Sequence, residues 1–295
     1  MRHFGFSLLM CAGISTGHAA GADAEKRAWD AFNAATPPAE TVRYVAPGAE
    51  KQELDLYPAA TTAKKHGSRP VLMLVHGGGW GGGNREALAP HARYFAALGW
   101  DCVNISYRLT SIPGVTLMNS QEDVRAAFDW VRHQSAARKW DTSRIVALGE
   151  SAGGQLACAL GLLPPEPQRW RAHSLVLVNP VLDLTALSWA LNQPGLREAG
   201  PFNDTTASQH PARAVSPLFH LRADCPPILL IHGRSDSVVP FAQAEAFATR
   251  AASVRAKVEL VALDDTNHAF LLKEFGTPAA MRATLQRIAQ FLGEP

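Results

Sequence analysis

Cysteine, charge and long apolar runs are all scarce in this chain, and each scarcity excludes something. Four cysteines in 295 residues are too few for a disulfide-stapled fold. Three of them, Cys102, Cys158 and Cys225, stand at apolar positions that suit buried thiols, with a single bridge left open. No His/Cys cluster has zinc-like spacing, so no metal is expected. Charged residues make up 18% and the net charge is +2, which offers nothing to nucleic acid or to an anionic membrane surface. No apolar run approaches the ~20 residues of a membrane span. There is no internal repeat, no low-complexity tract, and no Gly-Lys-Ser/Thr to close a phosphate-binding loop. What remains, 47% hydrophobic, suits one large α/β domain or two small ones.

Residues 1–22 read as a secretory leader. Arg2 gives a slightly positive start, Phe4 to Ile14 is mostly apolar, and the small residues Ala19, Ala20 and Ala22 allow a cut after Ala20 or Ala22. A disordered tail is the alternative, because so little charge precedes the apolar stretch. Met10 is too bulky for the small residue expected before a lipid-attachment cysteine at Cys11. Cleavage removes Arg2 and no acid, so the charge of +2 becomes +1. The expected location is secreted or periplasmic.

Beyond the leader, Ala24 to Ala35 could form a surface helix. Thr41 to Val45 and Lys51 to Tyr57 alternate as two edge strands around Pro47-Gly48. Val71 to Val75 is an uninterrupted apolar run, as expected of a central parallel strand covered on both faces. Glu86 to Leu98 reads as a helix stopped by Gly99, and Cys102 to Tyr107 as the next strand. Ser120 to Lys139 reads as a helix, with Ser120 and Asp123 as its capping box and Val124, Ala127, Phe128 and Val131 as its apolar stripe. Leu175 to Val181, Ile228 to His232 and Val258 to Leu263 are further strands, with a helix over Phe241 to Ala252 and a closing one through Met281, Leu285, Ile288 and Leu292. Strands alternating with helices after two edge strands imply a doubly wound, mainly parallel sheet. The irregular stretch 183–224 is expected to be a lid or binding loop.

The rest of the chain is organised around Gly149-Glu150-Ser151-Ala152-Gly153. Apolar residues run into it and a small-residue helical pattern leaves it, so Ser151 falls on a tight strand-to-helix turn. Glycines two before and two after keep strand and helix from colliding, and the helix N-terminus beneath the hydroxyl favours negative charge. A serine so placed needs a base, and the base needs an orienting acid. Asp236 lies just beyond the strand ending at His232, and His268 beyond the strand ending at Leu263. Catalytic groups of open α/β sheets gather outside such carboxyl ends, and the order Ser, Asp, His suits this architecture. His268 would take the Ser151 proton while Asp236 fixes its tautomer. His232 and His220 are rival bases and Asp183 a rival acid; Asp264 and Asp265 sit too near His268 in sequence. Glu150 is read as a structural hydrogen-bonding group rather than a second catalyst.

His76-Gly77-Gly78-Gly79-Trp80 follows the strand 71–75 and admits two readings. Gly77, Gly79 and Gly82 match G-x-G-x-x-G, yet the next strand ends Ser106-Tyr107-Arg108 with no acid for a ribose, which counts against a dinucleotide site. In the other reading the glycine N–H groups converge with that of Ala152 to form an oxyanion hole, with His76 orienting the loop. Trp80, Tyr107, Trp189 and Phe219 could line a pocket or could be ordinary packing.

These motifs, with Leu54-Asp55-Leu56-Tyr57-Pro58, Asn104 to Leu109, His232 to Pro240 and Asn267-His268-Ala269-Phe270, resemble the α/β-hydrolase superfamily. Within it the sequence is similar to the His-Gly-Gly-Gly esterases and lipases, including hormone-sensitive-lipase-like and feruloyl- and acetyl-xylan-esterase-like enzymes. The similarity covers about residues 40 to 293 and implies a single α/β-hydrolase domain over 23–295. It also implies Ser151 as nucleophile, Asp236 and His268 as its partners, and the N–H groups of Gly77, Gly78 and Ala152 as the oxyanion hole. Glu150 stands where lipase-like members often carry Asp, and the N-terminal segment is short for a full helical cap; both favour small, soluble esters. The function so implied is a serine carboxylesterase that needs no cofactor and no metal and acts on a small-molecule ester; the sequence leaves the oligomeric state open. Amide or formamide hydrolysis by the same groups is the runner-up, and a catalytically inactive binding module the reading from another class.

Overall fold

The computed structural model describes residues 19–60, 67–164, 168–196, 210–272 and 276–294. The leader falls mainly on 1–18, outside the described residues. Helix α1 (Ala19–Asn33) leads to an antiparallel pair, β1 (Glu40–Arg43) and β2 (Glu53–Tyr57). Strand β3 (Arg69–Val75), helix α2 (Ala89–Ala97), β4 (Asp101–Ile105) and helix α3 (Leu117–Arg138) follow. Next come β5 (Trp140–Glu150), α4 (Ala152–Ala157) and β6 (Ser174–Val178). In the excursion 183–224 the described residues form only single turns and two short helices, α5 (Ser188–Leu191) and α6 (Pro211–Ala214). β7 (Ile228–Gly233), α7 (Ala242–Val254), β8 (Val258–Leu263) and α8 (Pro278–Leu292) complete the chain.

The strands form one sheet in the order β1-β2-β4-β3-β5-β6-β7-β8, antiparallel where β2 meets β1 and β4 and parallel elsewhere. Side chains of a strand point alternately to its two faces. Val71, Met73 and Val75 therefore join the cluster under α3, α4 and α7, while Leu72 and Leu74 join the cluster under α1, α2 and α8. This two-sided cover is why β3 reads as a continuous apolar run. From β3 the chain moves outward to β4 on one side, and from β5 outward to β6 on the other. The order thus reverses between β3 and β5, and a crevice opens beyond their carboxyl ends. The loops carrying His76 to Gly83 and Ser151 meet there.

Three helix starts differ from the sequence expectation, the first being α1, which runs Ala19–Asn33 and not Ala24 to Ala35. The segment read as one helix over Glu86 to Leu98 begins as a 3-10 turn, Arg85–Leu88, and becomes α-helical at Ala89 with Pro90 in its first turn. Proline has no N–H to give, so the first turn is where a helix tolerates it. Helix α3 starts at Leu117 with Thr116 and Asn119 as its capping box, not Ser120 and Asp123. Those two residues are held by Arg108 instead: Ser120 Oγ donates to its carbonyl at 2.7 Å, and Asp123 accepts from its guanidinium and backbone N–H. Cys102, Cys158 and Cys225 are buried free thiols. Among the described residues no helix is long and apolar enough to cross a membrane.

Candidate active site

Ser151 sits between β5 and α4 at φ +54°, a region side chains rarely occupy. The geometry holds because the turn is packed too tightly to relax. A Cβ on Gly153 would fall 2.2 Å from the Val75 carbonyl oxygen and 2.3 Å from that of His76. One on Gly149 would fall 2.2 Å from the Gly153 carbonyl oxygen. Only glycine lets the serine turn approach the end of β3 so closely.

Three residues far apart in the chain meet at this turn. His268 Nε2 lies 2.8 Å from Ser151 Oγ, and His268 Nδ1 lies 2.6 Å from Asp236 Oδ2. With the proton on Nδ1 facing the carboxylate, Nε2 presents a lone pair to the serine hydroxyl. Asp236 is more than a partner of one histidine. Its Oδ1 accepts the N–H groups of Val238 and Val239 at 2.9 and 2.8 Å, and His232 Nε2 lies 3.2 Å from Oδ2. Burial opposes the charge on Asp236, but the hydrogen bonds from His232, His268 and the Val239 N–H outweigh it and hold the carboxyl well below the usual carboxylate range.

The rivals have other partners. His232 is fully buried against Asp236 and the Val239 carbonyl, so it acts as a second donor to the acid. His220 Nε2 faces the Arg213 carbonyl at 3.0 Å. Asp183 accepts from the Thr185 N–H and hydroxyl at a turn. Asp264 pairs with Arg234 on the surface. His76 is buried, stacked on Tyr107 at 4.3 Å and bonded through Nδ1 to the Gly77 carbonyl; burial lowers its pKa to about 4, so it is neutral at pH 7. That suits loop orientation, and the Tyr107 hydroxyl donates to the His76 carbonyl from beneath.

The glycine loop closes on itself through Gly82 N–H to Gly78 O at 2.9 Å and runs into the 3-10 turn, not directly into a helix. Among the described residues the N–H groups of Gly78 and Ala152 donate to no protein acceptor. The Gly77 N–H instead hydrogen-bonds to Glu150. Trp80 is fully buried, its Nε1 donating to Gln155 on α4 at 3.0 Å, and Trp189 packs on it at 5.6 Å. Phe219 lies beneath the Arg213 guanidinium. A cavity of about 340 Å³ opens beside His268, lined by Ser237, Val238, Asn267, Ala269 and Phe270.

Sequence reasoning missed Asn179. It follows β6 at φ +43°, is fully buried, donates through Nδ2 to the His268 carbonyl, and accepts the Gly233 N–H at 3.0 Å. It thereby ties the His268 loop to the end of β7. Its place at a strand's carboxyl end, just before Pro180, was the available signal. Asn267 does similar work, its Oδ1 accepting from the N–H groups of His268 and Ser237.

A family model described as BD-FAE matches residues 54–251, more than half of the chain. The chain belongs to the BD-FAE family. The BD-FAE match includes the glycine loop, Ser151 and Asp236 but ends inside α7, so the geometry alone places His268 beside them. A Mycobacterium tuberculosis protein described as a probable carboxylic ester hydrolase, LipM, is 33% identical over 241 residues, covering 77% of this chain and 55% of that protein. Esterase LipC of the same organism is 32% identical over 243 residues, covering 76% of this chain and 58% of LipC. The chain thus spans a little over half the length of these relatives. Among solved structures, the propionate-bound esterase 2 of Thermogutta terrifontis superposes with a TM-score of 0.73 at 31% identity, covering 88% of this chain and 96% of that one. The fold is that of the α/β-hydrolases.

Proposed function

We propose that this protein is a serine carboxylesterase that hydrolyses small carboxylic esters through an acyl-enzyme. The observation that carries the reading is the unbroken line of hydrogen bonds from Ser151 Oγ through His268 to Asp236. His268 Nε2 takes the hydroxyl proton as Oγ attacks the ester carbonyl, and the imidazolium so formed faces a carboxylate kept ionised by its own hydrogen bonds. The tetrahedral oxyanion is held by the N–H groups of Gly78 and Ala152, each such donor being worth about 10²–10³ in kcat. His268 then returns its proton to the leaving alcohol, and water repeats the sequence to free the acid. Of the three donors expected from the sequence, Gly77 contributes through Glu150 rather than by its own N–H.

The neighbours support this chemistry. LipC and LipQ of M. tuberculosis are described as esterases. The T. terrifontis esterase holds propionate in one structure and is phosphorylated by paraoxon in another. A panel of p-nitrophenyl acetate and propionate, feruloyl and acetylated-sugar esters, an aryl formamide and an aminoacyl amide tests the reading. Ester turnover should exceed both amide-type substrates; faster release from the formamide or the amide would overturn it.

Export through the leader 1–22 belongs to the same proposal. N-terminal sequencing of protein recovered outside the cytoplasm should begin after Ala20 or Ala22, and a start at Met1 counts against cleavage.

A further inference from the structure

Glu150 precedes the reactive serine, is 3% exposed, and takes no part in the proton relay described above. Its carboxylate is wedged into the glycine loop: a Cβ on Gly77 would fall 2.0 Å from Glu150 Oε2, and the Gly77 N–H donates to this side chain. Gly77 is thus gripped from below by Glu150, while the carbonyls of His76 and Gly77 are gripped by the Tyr107 hydroxyl at 2.9 and 3.5 Å. The next amide along is Gly78, whose N–H meets no acceptor among the described residues. We propose that Glu150 is a positioning residue which, as the carboxylate anion, fixes the Gly78 amide for the oxyanion, so that ester turnover depends on the charge of Glu150 as well as on the proton relay. The inference rests on the esterase reading given above.

The groups around Glu150 make that ionisation sensitive to pH. Burial pushes its pKa from the ordinary 4.5 up to about 7; His268 opposes the rise, Asp236 adds to it, and the Gly77 N–H opposes it. Tyr107 is the other titratable group facing it, and burial keeps that phenol neutral. A protonated Glu150 is a weaker acceptor and carries an O–H that needs a partner, so protonation loosens the hold on Gly77. The sign for stability is opposite to the sign for activity. An acid whose folded pKa is raised stabilises the fold in its neutral form, below pH 4.5, and loses that contribution as pH rises to about 7.

Glu150→Gln keeps the shape and removes the charge. Its kcat for p-nitrophenyl acetate at pH 8 should fall about tenfold with KM unchanged, a smaller loss than the 10²–10³ of deleting a donor. The acid limb of its kcat profile should lack the ionisation near pH 7 that Glu150 contributes in the wild type. E150Q should melt level with the wild type at pH 4.5 and above it at pH 8. A merely structural side chain predicts the reverse: lower melting at every pH and an unchanged acid limb, and that result overturns the proposal. Should E150Q not fold, Glu150→Asp retains the charge but withdraws it from Gly77. It should keep a carboxyl ionisation in the acid limb while losing kcat, and wild-type kcat in E150D overturns the proposal equally. A protonated-carboxyl band in pH-difference infrared spectra, present in the wild type and absent from E150Q, reads the Glu150 titration without substrate. With that band in place, failure to hydrolyse any ester would sink the esterase reading alone; ester turnover without the band would sink the Glu150 inference alone.

Discussion

Ser151→Ala is expected to leave a folded protein that no longer hydrolyses p-nitrophenyl esters. The change removes one hydroxyl from a turn whose backbone is set elsewhere, by the approach of Gly149 and Gly153 to neighbouring carbonyls and by the Ser151 N–H bonded to Val178 O at 2.8 Å. Alanine is as strained as serine at φ +54°, so the turn gains no reason to rearrange. The lost Oγ–His268 hydrogen bond is worth about 1 kcal/mol, small enough for urea denaturation to show one cooperative unfolding near the wild-type midpoint. The kinetic consequence is far larger. In a unit of nucleophile, base and acid, deleting the nucleophile costs about 10⁶ in kcat, because oxyanion donors and binding alone remain. Paraoxon gives an independent measure: the wild type should gain one phosphoryl group per chain by mass, and S151A none. Turnover within tenfold of the wild type, or phosphoryl incorporation undiminished in S151A, would place the nucleophile elsewhere.

The parts of this site that could be read from the sequence are those whose physics is local. The serine turn is legible because only glycine permits the observed approach, and two glycines stand at the required spacing around Ser151. The central strand is legible because cover on both faces demands an unbroken apolar run. Asp236 and His268 are legible because each immediately follows a strand, and the parallel order brings those strand ends to one edge. What was illegible depends on contacts across the chain. Ser120 and Asp123 have the spacing of a helix cap, but Arg108, a dozen or more residues away, claims both, and Thr116 caps the helix one turn earlier. Asn179 gives no local pattern beyond its place before Pro180 at a strand's end; its meaning lies in bridging Gly233 and His268, which only the assembled sheet brings beside it. Glu150 was legible as a hydrogen-bonding group, but its partner, the Gly77 amide, lies on a loop 73 residues earlier in the numbering.

Asp236→Asn should cost about a hundredfold less than loss of the serine, and by a different route. The Asn carbonyl oxygen is expected to keep the N–H groups of Val238 and Val239, since two backbone donors fix that side of the residue. Its NH₂ is then turned toward His268 Nδ1 and His232 Nε2, where the carboxylate had accepted. A donor facing Nδ1 favours the tautomer that carries its proton on Nε2, so His268 presents a proton rather than a lone pair to Ser151. Such a change costs about 10⁴ in kcat with the geometry otherwise intact. The stability change should have its own pH signature. Asp236 is held below its ordinary value of 3.8, so the stability its charge contributes is present above pH 3.8 and is lost as pH falls through the folded value. The wild type should therefore unfold at higher urea than D236N at pH 7, and the two should converge in acid. If kcat falls less than tenfold while the urea difference at pH 7 persists, Asp236 is a structural anchor for the Val238–Val239 loop and the orientation of His268 comes from Asn179 and Asn267 instead.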